Sequence, residues 1–259
     1  MAQSPLKNRI RVGIAGWSLP PALRSAQAGR QSVLEHYATL FNAVEINSSF
    51  YRPHRLATYE RWRLAVPESF RFAVKVPKLI THERRLVSCR DEITAFLAAV
   101  FGLQDRLGAL LVQLPPSYMF DERVAGDFFR SIRELTSVPI ACEARNASWW
   151  GNAVAAMFED YEVTRVLAHP APAGCNFSES GREPGRFSYR RLHGSPRMYY
   201  SAYDAQYLQA AAALILASAP AQTGAEHWCI FDNTAGGAAW SDAQLLQRML
   251  CNKVVNQPV

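Results

Sequence analysis

The sequence predicts one α/β domain of the (β/α)8, TIM-barrel-like class. Three observations predict it. Eight short apolar runs have strand character, helical runs lie between most of them, and 259 residues is an ordinary length for one such barrel. Residues 1–9 are polar and read as a flexible N-terminal tail, leaving 10–259 as the single domain.

The strand-like runs, in order, are Ile10–Ala15, Ala43–Asn47, Phe70–Val76, Ala109–Leu114, Val138–Glu143, Val163–Ala168, Phe187–His193 and Trp228–Phe231. Each is short, apolar and bounded by polar or turn residues. Helical spacing recurs over Ser32–Phe41, Ala57–Ala65, Asp91–Phe101, Glu122–Leu135, Trp149–Tyr161, Ala205–Ala217 and Ser241–Cys251. Ser148 and Asp204 stand where N-caps belong. The helix expected after the sixth strand is missing or degenerate. In its place Pro170–Gly185, rich in Pro, Gly and Ser, reads as an insertion. A doubly wound open sheet is the competing architecture. It would open its first helix on a glycine-rich turn, whereas Trp17-Ser18-Leu19-Pro20-Pro21 follows the first strand here.

Side chains alternate faces along a strand. Val44 and Ile46 therefore oppose Glu45 and Asn47. Phe72, Val74 and Val76 oppose Lys75, and Leu110, Val112 and Leu114 oppose Gln113. Ile140 and Cys142 oppose Glu143 and Arg145, while Leu192 opposes Arg191 and His193. The apolar face belongs against the helices, so the polar face points inward near the carboxyl ends of the strands. An unpartnered buried charge is costly. Five strands with the same pattern predict a mutually compensating polar cluster at the C-terminal mouth, where barrel enzymes keep their sites. A structural ion-pair network, with Glu45 on Lys75 and Glu143 on Arg145 or Arg191, is the plain alternative.

Aromatic residues follow the same strand ends: Trp17, Phe50, Tyr51, Trp149, Trp150, Tyr199 and Tyr200. Aromatic walls with polar groups suit sugars and nucleobases. Lys75 is one of four lysines in an arginine-rich chain. A desolvated lysine can act as a base or form a Schiff base, or simply pair with Glu45. His193 is a candidate general acid/base or metal ligand. His82, after the third strand, could reach the same mouth, and His169 is a weaker candidate.

Composition limits the function classes. No apolar run reaches the roughly 18 residues of a membrane helix, and the polar start does not read as a secretory signal. Five scattered cysteines without a CxxC spacing argue against a disulfide framework or a structural zinc site, and point to reduced thiols in a cytoplasm. A net charge of +6 favours anionic partners, nucleic acid included, though no Lys/Arg tract occurs. The sequence points to no particular cofactor or oligomeric state.

Seven segments carry a resemblance. They are Gly13-Ile14-Ala15-Gly16-Trp17-Ser18; Phe41 through Tyr51; Phe70 through His82; Leu110 through Pro116; Glu143-Ala144-Arg145 with Ser148-Trp149; Arg191-Leu192-His193-Gly194; and Phe231-Asp232-Asn233-Thr234. Together, and in this order, they resemble the domain-of-unknown-function family 72, the YecE-like family. The resemblance implies a TIM-barrel-like fold and a polar pocket lined by these residues, and it implies no reaction. The chain departs from the family pattern at Ala15, Leu19, Ala144 and Asn146, and at Asp232, where asparagine is common.

Three functions follow as expectations. The first is an enzyme acting on a small anionic, sugar-like or nucleotide-like ligand. Arg145, Arg191 and Lys75 would hold a phosphate or carboxylate. Glu45, Glu143, Lys75 and His193 would be the catalytic candidates. Asn47, Gln113 and Asn233 would read hydroxyls or a carbonyl, with Tyr51, His82 and Trp149 lining the site. Substitution of Glu143 or Arg191 should then abolish turnover or binding with the melting temperature nearly unchanged. The second is a divalent-metal-dependent hydrolase or isomerase using Glu45, Glu143, His193 and Asp232, against which the nearby arginines argue. The third is a non-catalytic module that binds nucleic acid or a metabolite.

Overall fold

The computed structural model describes residues 9–20, 32–172, 187–218 and 225–255. Eight strands stand among them: β1 (Ile10–Ile14), β2 (Ala43–Ile46), β3 (Arg71–Lys75), β4 (Leu107–Gln113), β5 (Ile140–Glu143), β6 (Val163–His169), β7 (Phe187–Leu192) and β8 (Glu226–Phe231). They hydrogen-bond in the order β1-β8-β7-β6-β5-β4-β3-β2, and the pairs β1/β8, β7/β8, β3/β4, β4/β5 and β5/β6 are parallel. Seven helices of at least two turns accompany them among the described residues: α1 (Val33–Leu40), α2 (Leu56–Leu64), α3 (Arg90–Val100), α4 (Glu122–Leu135), α5 (Asn152–Asp160), α6 (Ala205–Ser218) and α7 (Ala238–Val255).

Local chemistry explains most boundaries. Ser32 and Glu35 form a capping box that starts α1. Asp121 accepts from Val124 N to start α4, and Asp204 accepts from Tyr207 N before α6, as its position predicts. Ser148 does not cap a helix. Its hydroxyl accepts from Phe120 N and donates to Asn146 Oδ1. The expected helix from Trp149 is instead a single tight turn, Ala147–Trp150. Gly151 is extended after it, and α5 begins one residue later. The proposed tail up to residue 8, and most of the Pro170–Gly185 insertion, lie outside the described residues.

The chain packs as two compact units, which divide within β2 and within β6. The first holds β1, α1, β7, α6, β8 and α7. Its strands are almost wholly buried, and Leu208, Ala212 and Ile215 of α6 and Ala239, Ala243 and Leu246 of α7 supply apolar helix faces. Tyr37 of α1 is fully buried, and its hydroxyl accepts from Ile14 N and donates to Ala43 O. Gly13 lets these backbones approach, since a Cβ there would lie 2.2 Å from Ala43 O. Gly13→Ala should therefore cost about 3 kcal/mol, because a backbone oxygen cannot swing aside as a side chain can. Urea denaturation would check this, and a loss below about 1 kcal/mol would mean that the backbones can spread.

The second unit holds α2, β3, α3, β4, α4, β5 and α5. Its core is built on fully buried β4 residues (Ala109, Leu110, Leu111, Val112) and on the stripe Ala125, Phe128, Phe129 and Ile132 of α4. Among the described residues, no helix is long and apolar enough to cross a membrane. Cys89, Cys142, Cys229 and Cys251 are free thiols. Burial pushes Cys142 and Cys229 up to about 12 and Cys89 up to about 11, so all three stay protonated and unreactive at neutral pH.

Candidate functional site

In the second unit, register decides which polar side chains share a face. Lys75 lies opposite Leu111, Leu111 opposite Ala141, and Gln113 opposite Glu143. With a side-chain period of two, Lys75, Gln113 and Glu143 point to one side of the sheet. Val112, Cys142 and Arg165 point to the other. Arg165 belongs among the helices: its guanidinium sits 4.4 Å over the Trp150 ring and 5.1 Å from Phe158 of α5, and donates to Trp149 O.

Glu143 is fully buried, and Arg145 Nε donates to its Oε1 at 2.7 Å. Two residues apart on extended chain, they lie on the same side. Lys75 is buried, with Nζ 4.2 Å from the Phe50 ring. Phe50 also stands edge-on to His82 at 5.0 Å. The His82 pKa is lowered, first by burial and then by the positive charges of Lys75, Lys78 and Arg145, with Glu83 opposing. Gln113 and Glu45 are buried as well. Asn47 is half-buried, and its Oδ1 has no hydrogen-bond partner among the described residues.

The aromatic residues divide. Tyr51 is 79% exposed and packs edge-on against Phe50. Trp149 is fully buried, its indole N–H donates to Tyr118 O, and its ring meets Phe120 and Phe158. It is a core residue, not a wall. Trp150 lies under Arg165, and Tyr200 lies under Arg197 at the surface.

In the first unit, the ends of β7 and β8 carry a second polar group. Arg191 is completely buried, and its Nη2 donates to Asp232 Oδ2 at 2.9 Å. The same oxygen lies 3.0 Å from His193 Nδ1. Asn233 is fully buried, and its Nδ2 donates to Ser201 O and to Asp242 Oδ2. Asp242 Oδ2 also accepts from Tyr203 N. Burial raises the Asp242 pKa, against the lowering effect of these two hydrogen bonds. Tyr203 OH donates to His169 O and accepts from Gly194 N, which ties the ends of β6 and β7 together.

The family model described as "Protein of unknown function DUF72" matches residues 11–258. The chain belongs to the DUF72 family. The UPF0759 protein YecE of Escherichia coli K12 is 35% identical over 109 residues, 42% of this chain and 39% of YecE. This DUF72 chain therefore matches less than half the length of that curated relative. A crystal structure of a DUF72 family protein from Enterococcus faecalis V583 superposes with a TM-score of 0.78 at 24% identity, covering 93% of this chain and 95% of that one. A xylose isomerase-like TIM barrel/4-hydroxyphenylpyruvate dioxygenase fusion protein matches at a TM-score of 0.58 and 16% identity, over 97% of this chain and 45% of the fusion. These likenesses show the fold, an α/β fold of the TIM-barrel type.

In this DUF72 chain Lys75, Gln113 and Glu143 share a face of the sheet, and Glu143 pairs with Arg145. Arg191 is engaged with Asp232, which stands where asparagine is common in the family pattern. Asp242 and Tyr203 gave no sign of a role in the sequence pattern. The available signal was a carboxylate on the buried stripe Ala239, Ala243, Leu246 of α7. Among the described residues, no three His, Cys, Asp or Glu side chains gather as a metal-binding group.

His82 carries a pH consequence. Its folded pKa lies below its unfolded one, so between the two the unfolded chain binds more protons and stability rises with pH. Stability should thus fall as the pH drops below about 6.5. His82→Gln should flatten that part of a urea-midpoint profile. An unchanged slope would assign it to other groups.

Proposed function

We propose that this DUF72 chain is an acid–base enzyme acting on a small anionic ligand, sugar-like or nucleotide-like, bound at the carboxyl ends of β3 to β5. One observation carries the reading: Lys75, Gln113 and Glu143 share a sheet face opposite the helix-facing one. Arg145 is bonded to Glu143 there. A purely structural pair would gain little from such burial, since apolar residues of like volume stabilise a core as well or better. Lys75 and Arg145 supply charge for a phosphate or carboxylate. Their joint effect on His82 supports a positive local field. Glu143 is the acid/base candidate, held in place by Arg145. Gln113 and the Asn47 Oδ1 offer hydrogen bonds to hydroxyls, and Glu45 adds a second buried carboxylate.

The test is a thermal-shift titration with inorganic phosphate, ribose 5-phosphate and a nucleoside monophosphate. At least one should raise the melting temperature by several degrees at 100 times its Kd, equivalent to about 2.7 kcal/mol. Lys75→Met should abolish the rise. A rise that survives the substitution, or none with any probe, would remove the reading.

A further inference from the structure

In the first unit, two carboxylates take N–H donors from two neighbouring side chains. Asp232 faces His193 Nδ1. A carboxylate only accepts, so Nδ1 carries a proton, and in the neutral ring the lone pair of His193 then sits on Nε2. Asp242 Oδ2 and Ser201 O take both hydrogens of the Asn233 amide. That fixes the amide's orientation by chemistry: Asn233 presents only Oδ1, a fully buried oxygen with no hydrogen-bond partner among the described residues. Asn233 and Gly194 are close neighbours, for a Cβ on Gly194 would lie 3.0 Å from Asn233 Cβ. A buried acceptor left unmatched is costly, and buried polar groups ordinarily find a donor.

We propose that the ends of β7 and β8 form a recognition point for a ligand that donates hydrogen bonds, the hydroxyls of a sugar or other polyol, with His193 Nε2 and Asn233 Oδ1 as its acceptors. Asp232 and Asp242 are then positioning residues, each of which leaves its neighbour an acceptor. A ligand carbonyl is rejected, because it would meet acceptors only. His193 Nε2 takes the proton of the hydroxyl it meets and becomes imidazolium, and the oxygen keeps the electron pair. The Tyr199 ring stands edge-on 5.7 Å from the His193 ring. Tyr199 has φ +70°, a conformation disfavoured for any residue with a Cβ. This assignment rests on the reading of the chain as an acid–base enzyme.

Nitrogen NMR of the full chain with labelled histidine tests it at pH 8, with D-ribose and per-O-methylated ribose as neutral probes. In the wild type, His193 should be the Nδ1–H tautomer, and ribose should shift its Nε2 resonance saturably. The methylated sugar should act at least tenfold more weakly. Asn233→Leu should lose the ribose response while the His54 and His227 signals stay in place. Asp242→Asn should keep it, because its amide oxygen accepts the same two bonds. An Nε2–H tautomer overturns the proposal, as does no response to ribose or an equal response to both sugars. The tautomer and the probe pair are read on the wild type, so they decide the proposal even where a variant fails to fold. Phosphate binding that depends on Lys75, without a ribose response, defeats this inference alone. A ribose response without phosphate binding defeats the anionic-ligand reading alone.

Discussion

Arg191→Met is expected to destabilise the fold by about 3–5 kcal/mol, the cost of breaking a buried ion pair from one side. Arg191 has no exposed surface, and its guanidinium donates to Asp232. Methionine fills much of the same volume, so the loss reports charge rather than a cavity. The carboxylate of Asp232 loses the Arg191 guanidinium and keeps its contact with His193 Nδ1. From sequence alone, substitution of Arg191 is expected to leave the melting temperature nearly unchanged, because Arg191 figures there as a ligand clamp. Complete burial and a protein partner reverse that expectation. Arg191→Lys should recover only part of the loss, since an ammonium cannot reproduce the planar fork. Equilibrium urea denaturation of the three proteins decides it. A loss below about 1 kcal/mol for Arg191→Met would contradict the buried pair.

Glu143→Gln is expected to do the opposite: a modest effect on stability and a large one on chemistry. The amide oxygen can still accept from Arg145 Nε, now at 2.7 Å from the carboxylate. Arg145 is partly exposed, so water compensates its unbalanced charge. The cost should stay within about 1.5–3 kcal/mol, the range for a hydrogen bond to a charged group. An amide cannot exchange a proton, however, so turnover of the ligand found by the phosphate titration should fall by about 10²–10⁴-fold. Binding should change far less, because the carboxylate is not the anion's partner. Parallel measurement of the urea midpoint, ligand affinity and rate separates these. A protein that loses stability but not rate would make Glu143 a structural ion-pair member only.

The sequence carried the fold because period-two alternation and capping residues are local signals. Eight strands and most of the helices stand within a few residues of where pattern places them. The pairing of Glu143 with Arg145 was legible for the same reason: residues two apart on extended chain share a side. The partnership of Arg191 with Asp232 was not, because it joins residues 41 positions apart and only the β7/β8 register brings them together. Asp242 was hidden by its place in a helix, where one acid near the first turn reads as an ordinary dipole-favouring residue. The inward turn of Trp149 is not legible, because a tryptophan after a strand can turn inward as easily as outward. Its N–H met Tyr118 O in the core.

The placement of Lys75, Gln113 and Glu143 on one sheet face that receives an anion underlies the function proposed for this chain. A crystal structure grown with ribose 5-phosphate tests it most directly. The predicted result is the phosphate within hydrogen-bond reach of Lys75 Nζ or the Arg145 guanidinium, with the sugar beside Gln113. Phosphate bound only against the outer helices, or Glu143 and Lys75 facing opposite sides of the sheet, would contradict it.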